Sequence, residues 1–156
     1  MSSGATFVAY NVHTPNVQGE LDVIGIQTAT PRTVWLCEVI THLRGTLYAG
    51  GYAGTVEKVR DKVGRARDFA ATTFSGDLHR YEIWSPIVPS GVAQRFDELA
   101  TEFSTQELDV EFVINQRYTE RVAELVTHAR GSFKATNEPA YRLLQILTHL
   151  RGELRV

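Results

Sequence analysis

Gly19-Glu20-Leu21-Asp22-Val23-Ile24-Gly25-Ile26 and, shortly after, Val34-Trp35-Leu36-Cys37-Glu38-Val39-Ile40 are strongly apolar runs that carry carboxylates. Both read as β-strands, and the polar stretch Gln27-Thr28-Ala29-Thr30-Pro31-Arg32-Thr33 between them reads as a hairpin connection. With the turn centred near Thr30, Asp22 and Glu38 lie equally far from it and become cross-strand neighbours on one face of the sheet. A one-residue slip would send them to opposite faces. Two facing carboxylates repel unless something bridges them, and a divalent cation, Mg²⁺ or Mn²⁺, is the usual bridge. The alternative is structural, with Glu38 paired to a nearby Arg and Asp22 capping a turn.

Further along, Lys62-Val63-Gly64-Arg65-Ala66-Arg67 belongs to a basic helix and Tyr81-Glu82-Ile83-Trp84 to the strand after it. A hairpin with Gly-Glu-x-Asp in its first arm and hydrophobic-Glu-Val in its second, then a basic helix and a strand, resembles the PD-(D/E)XK nuclease superfamily. The nearest forms are its small Holliday-junction-resolvase-like and restriction-endonuclease-like members, and the resemblance covers about residues 6–90. It implies an endonuclease-like hydrolase of phosphodiester bonds, with nucleic acid, DNA before RNA, as partner. Mg²⁺ (or Mn²⁺) would be held by Asp22, Glu38 and the backbone carbonyl of Val39. A homodimer that cuts two strands symmetrically is compatible with it.

Two departures accompany the match. The superfamily's lysine, two residues after the Glu, is Ile40 here, and an isoleucine neither activates water nor stabilises charge on phosphate. The candidates for its role are His42, two residues further along the strand, and Lys58 and Lys62 on the next helix. Members of the group also open with a helix that contributes a further glutamate. Here Thr6 to Val12 reads as a first strand, and Glu20, on the same strand face as Asp22, is the acid that would substitute.

Val56, Val59, Val63, Ala66 and Ala70 recur at helical spacing, with Phe69 and Phe74 near the end. Lys58, Lys62 and Arg65 form one basic stripe beside this apolar face and Arg60 and Arg67 a second, diluted by Glu57, Asp61 and Asp68. Before the helix, Gly45 to Gly54 reads as a loop carrying Tyr48 and Tyr52, which could stack on bases. It lacks the Gly-Lys-Ser/Thr ending of a P-loop, which argues against nucleoside triphosphates.

Arg80 to Val88 reads as the next strand, ended by Pro86 and Pro89. A helix over about 91–104 follows, with Ser90 as N-cap and Val92, Phe96, Leu99 and Phe103 as its core face. Leu108 to Ile114 reads as a strand, and helices near 119–130 and 138–150 complete the chain, with Gly131 and Gly152 as C-terminal caps and Asn137 before Glu138-Pro139. The order β-β-β-α-β-α-β-α-α predicts an α/β fold, a restriction-endonuclease-like mixed sheet flanked by helices. One domain over 1–156 is expected, with a core over about 6–90 and an extension over about 91–156. Thr-His-x-Arg-Gly recurs at Thr41, Thr127 and Thr148, but at irregular spacing and in unlike elements, so it marks no repeat architecture and no zinc site.

Composition is that of a soluble globular protein, 43% hydrophobic and 22% charged, and the net charge of −2 means that any phosphate binding must be local. The one cysteine, Cys37, excludes an intrachain disulfide and reads as a packing residue. With no signal-peptide pattern and no apolar run of membrane length, a cytoplasmic location and no membrane partner are expected. Three function classes remain: a metal-dependent nuclease, a catalytically inactive relative acting as a DNA-binding or assembly subunit, and an unrelated interaction domain with structural acids.

Overall fold

The computed structural model describes residues 6–14, 19–42, 45–48, 50–134, 136 and 138–150. Its elements run β1 (Thr6–His13), β2 (Glu20–Gln27), β3 (Thr33–Val39), α1 (Gly51–Thr73), β4 (Leu78–Ser85), α2 (Ser90–Phe103), β5 (Leu108–Ile114), α3 (Asn115–Gly131) and α4 (Pro139–His149). This is the α/β order expected. The chain divides into two compact units, Met1–Asn115 and Gln116–Val156.

In the first unit the five strands form one sheet in the order β1-β2-β3-β4-β5. β1, β2 and β3 make an antiparallel meander, while β3, β4 and β5 are parallel and joined through α1 and α2. Period-2 alternation then sorts the side chains into rows across the strands. Ile24, Leu36, Tyr81 and Val110 form one row, and Ile26, Val34, His79 and Leu108 the row toward the β2–β3 turn. All eight belong to the face that packs against the helices, where α1 contributes Val59, Val63, Ala66 and Ala70 and α2 contributes Val92, Phe96 and Leu99. Phe96 stacks on Phe112 at 4.6 Å between centroids. Each such buried aliphatic or aromatic side chain contributes about 1.5–3 kcal/mol relative to exposure. The other face carries Val23, Cys37, Glu82 and Glu111 in one row, with the Trp84 indole N–H donating to Glu82 at 2.8 Å and Arg80 bridging to Asp109.

Helix boundaries shift where local signals compete. Gly51-Tyr52-Ala53-Gly54, read from sequence as loop, is the first turn of α1. The left-handed backbone of Gly50 and Gly51 (φ 96° and 68°) makes the turn into it. α2 begins at Ser90 itself with Pro89 as N-cap, so Ser90 is not the cap. The Asn115 side chain fixes this corner by accepting from Val88 N–H and donating to Val88 C=O. β4 ends at Ser85 rather than running to Val88.

The second unit holds the body of α3 together with α4. Gly131 is the last residue of α3 and is not left-handed, so it does not cap in the way expected. Pro139 opens α4 behind Glu138, whose carboxylate accepts from Ala140 N–H. Buried Gln145 donates its amide to the carbonyls of Ser132 and Lys134 and so ties α4 to the segment after α3. Asn137 and Gly152, named above, lie outside the described residues. Among the described residues no helix is long and apolar enough to cross a membrane.

The start of the parallel ladder is clamped by Arg32, whose Nε donates to Asp77 Oδ1 at 2.7 Å while Nη2 lies 2.7 Å from Oδ2. The hydrogen bond from Arg32, then its charge and that of His79, hold the Asp77 carboxyl below its ordinary value of 3.8 against the opposing effect of burial. A depressed folded value adds stability that is complete above 3.8 and disappears as pH falls through the folded value. Urea unfolding of wild type and Asp77→Asn should therefore differ at pH 6, and the gap should close progressively below pH 3.8.

Candidate active site

Glu38 stands on the helix-facing side of β3, between Leu36 and Ile40, and is 5% exposed. An ionised carboxylate withdrawn from water among apolar side chains needs a compensating charge. Lys62 supplies it: its Nζ contacts Glu38 Oε2, with side-chain exposures of 20% and 7% for lysine and glutamate. α1 positions the lysine because the rotation that buries Val59, Val63 and Ala66 leaves Lys62 at the border of the apolar face, over the end of β3. Ile40, at the motif's lysine position, is core, and its N–H donates to Trp84 C=O at 2.8 Å, extending the parallel ladder.

The β2–β3 register is the expected one, Val23↔Cys37 through Gln27↔Thr33, which puts Asp22 one step beyond, opposite Glu38. At that step the regular pairing stops. Asp22 is unpaired in both ladders, and Asn11, its counterpart in β1, is left-handed with φ 52°. Leu21 and Ile24, three apart, are both buried, so β2 departs from strict alternation here. Asp22 Oδ2 instead accepts the Val39 N–H at 2.6 Å, taking the place of a main-chain acceptor. The two acids therefore do not form a bare facing pair, since each already holds a donor.

Both still act on one neighbour. Tyr81, in the core row below Glu38, has its pKa pushed well up, first by burial, then by Glu38 and more weakly by Asp22, with Arg65 opposing. Its buried hydroxyl lies against the Glu38 carboxylate, and a hydrogen bond to it adds to the rise. Beside this lies Tyr48. Its N–H donates to Thr55 Oγ1 at 2.9 Å, and that hydroxyl donates to Gly51 C=O, which anchors the preceding loop to the first turn of α1. The Lys58 ammonium lies 4.3 Å from the Tyr48 ring centroid, a cation–π contact, and the exposed His42 meets the ring edge-on at 5.6 Å. Burial raises the Tyr48 pKa, Glu38 raises it further and Lys62 lowers it, so Tyr48 lies within the field of the ion pair.

The three candidates for the missing lysine thus separate: Lys62 sits on Glu38, whereas Lys58 and His42 sit on Tyr48. Glu20 is exposed at the start of β2 and lines a notch of about 10 Å³ together with Thr14, Gly19, Glu38, Lys62 and Arg65. A Cβ on Gly19 would lie 3.6 Å from Arg65 Nε, so the chain passes close under the guanidinium. The sequence marks Arg65 only as part of a basic stripe, Tyr48 only as part of a glycine–tyrosine loop and Tyr81 only as part of a strand, and singles out none of them as a site residue. A larger cavity of about 610 Å³ lies between α1 and α2, but its Arg60 and Arg95 are engaged by Glu102 and Glu98.

Among the described residues no three His, Cys, Asp or Glu side chains converge as a ready metal cluster. Mg²⁺, however, is commonly held by only one or two carboxylates and otherwise by water and substrate phosphate. Asp22 and Glu38 are two carboxylates of that number, but each already holds a donor, the Val39 N–H and the Lys62 ammonium.

Cys37, on the opposite face of β3, has its pKa pushed up to about 12, chiefly by burial and then by Glu82 and Asp22. A thiol so held is not nucleophilic at neutral pH. Iodoacetamide at pH 8 should leave Cys37 unmodified in the native protein and alkylate it fully in urea, as read by mass spectrometry. No protein-family model, curated protein or solved structure matches this chain.

Proposed function

We propose that this protein is a divalent-metal-dependent hydrolase of nucleic-acid phosphodiester bonds, with DNA as the first substrate. The observation that carries the reading is the Lys62 ammonium on the buried Glu38 carboxylate, which supplies a cation at the acidic end of β3 where Ile40 cannot. A bound Mg²⁺ or Mn²⁺ would polarise the scissile phosphate and lower the pKa of the attacking water. Asp22 and Glu38 are the side chains that would hold it, with the Val39 carbonyl as the further donor that the resemblance implies and Glu20 as the outer acid. Lys62 orients the water and meets charge developing on the phosphate. Arg65 binds a non-bridging oxygen from the notch side, and Lys58, held over Tyr48, attracts an adjacent phosphate.

A second reading keeps the fold and drops turnover, making the protein a nucleic-acid-binding or assembly subunit. It is favoured by Ile40, a core residue at the position where the resemblance expects a lysine.

The experiment is cleavage of labelled single- and double-stranded DNA and RNA with Mg²⁺ or Mn²⁺. Wild-type cleavage is expected to fall by about 10²-fold or more in Lys62→Ala and to background in Glu38→Ala. Cleavage that survives Glu38→Ala removes this site from the reaction. Nucleic-acid binding without cleavage of any substrate selects the second reading.

A further inference from the structure

The two edges of the five-stranded sheet are finished differently. β5 carries Asp109 and Glu111, and the turn before it engages its main chain: Val110 N–H donates to Ser104 Oγ at 3.0 Å and Leu108 N–H to Thr105 Oγ1 at 3.1 Å. β1 ends the sheet on the opposite side among the described residues, and Thr6–His13 holds no Asp, Glu, Lys, Arg or Pro. Natural sheets blunt an edge with charges or proline, or cover it, because every second residue turns its N–H and C=O outward and invites another strand. Phe7, Val8 and Tyr10 of this edge are moreover 61%, 51% and 54% exposed.

Faces and register decide which strand fits there. Phe7 and Ala9 stand opposite Ile26 and Ile24 on the helix side, whereas Val8 and Tyr10 stand opposite Gly25 and Val23 on the other side. α1 and α2 pack over β4 and β5, and β1 presents exposed apolar side chains on both faces. A strand added beside it must therefore be uncharged and apolar on both faces, and β1 itself is such a strand. Asn11, left-handed at φ 52°, drops out of the register with β2 and bounds the regular part of the edge at Thr6–Tyr10. Val8 is the midpoint of that stretch. Antiparallel pairing of two copies about it sets Val8 against Val8, Phe7 against Ala9 and Thr6 against Tyr10. Each pair then shares one face of the sheet, large side chains meet small ones and no like charges oppose. A register centred on Ala9 would instead bring Phe7 to the left-handed Asn11.

We propose that two copies of this chain associate by pairing β1 with β1 about a two-fold axis at Val8, which joins their sheets into one continuous sheet. The axis stands perpendicular to that sheet, so α1 and Glu38 of both copies lie on the same face of it. The contact uses the same patch on each copy and closes on itself, which stops growth at the dimer. One strand a side is small for a specific interface, so the dimer dissociates on dilution. The association does not depend on the reaction proposed above for Glu38.

The test is analytical ultracentrifugation of the full chain over a series from micromolar to millimolar concentration. Wild type should shift from the 17.4 kDa monomer toward twice that mass. Val8→Lys and Val8→Glu each set like charges opposite one another at the axis, so either protein alone should stay monomeric. An equimolar mixture of the two should dimerise again, a rescue specific to a residue that pairs with itself. Circular dichroism of each variant separates loss of the dimer from loss of the fold. As a second readout, Val8→Cys should form an intermolecular disulfide on mild oxidation, because directly opposed residues lie within disulfide reach. Ala9→Cys, set against Phe7 of the other copy, should cross-link far less.

Wild type that stays monomeric throughout the series overturns the proposal and leaves β1 to an unrelated strand or to none. A dimer that Val8→Lys leaves intact, or that mixing with Val8→Glu does not restore, overturns it too. If Leu147→Glu breaks such a dimer instead, the contact belongs to the exposed apolar side of α4.

Discussion

The burial of one charge governs this architecture. Glu38 occupies a position on β3 that period-2 alternation assigns to the core, and Leu36 and Ile40 on either side meet that assignment with hydrocarbon. The carboxylate is tolerable there because α1 crosses the sheet with Lys62 at the edge of its apolar face. Burying Val59, Val63, Ala66 and Ala70 and neutralising Glu38 therefore demand the same rotation of the helix, and each requirement reinforces the other. Loss of one partner would leave an uncompensated charge, at a cost of about 3–5 kcal/mol. Yet a buried ion pair is often no better for stability than two well-packed apolar residues of similar volume. Stability alone thus gives no reason to place an acid and a lysine here.

Much of the fold was legible because its signals are local. The turn centred near Thr30 follows from the polar run between two apolar ones, and the observed pairing of Val23 with Cys37 has that same centre. The helical spacing of Val59, Val63, Ala66 and Ala70 marks α1 without reference to anything distant. The first turn of α1 was not legible, because Gly51-Tyr52-Ala53-Gly54 has poor helix propensity. It is held by Thr55, whose hydroxyl joins the Tyr48 N–H to the Gly51 carbonyl. The start of α2 escaped for a similar reason. The Asn115 side chain, 27 residues from Val88, sets that corner, and no window of sequence contains both.

The site divides along the same line. Asp22, Glu38 and Lys62 could be named from spacing and from the resemblance, since strands and helices project residues at fixed periods. Which of Lys58, Lys62 and His42 reaches Glu38 could not, because that depends on the azimuth of α1 over the sheet. Lys58 is one turn from Lys62, and it lies over Tyr48 instead. The hydrogen bond from Val39 to Asp22 depends on an interruption in β2 that sequence alternation hides. Tyr81 reads as an ordinary core residue of β4 until the strands are aligned and its hydroxyl is found against Glu38.

The parallel pairing of β3 with β4 has a bearing on how the molecule is made. Arg32 and Asp77, which bracket the first rung, are 45 residues apart in the chain, and α1 spans the interval. The β2–β3 hairpin closes a short loop and can form early, whereas the parallel ladder awaits the closure of a long one. Glu38 belongs to the hairpin and Lys62 to the helix, so the carboxylate stays in water until α1 docks. Their meeting is a late event on the folding route, and interactions that form late govern how rapidly the native state opens more than how rapidly it is reached.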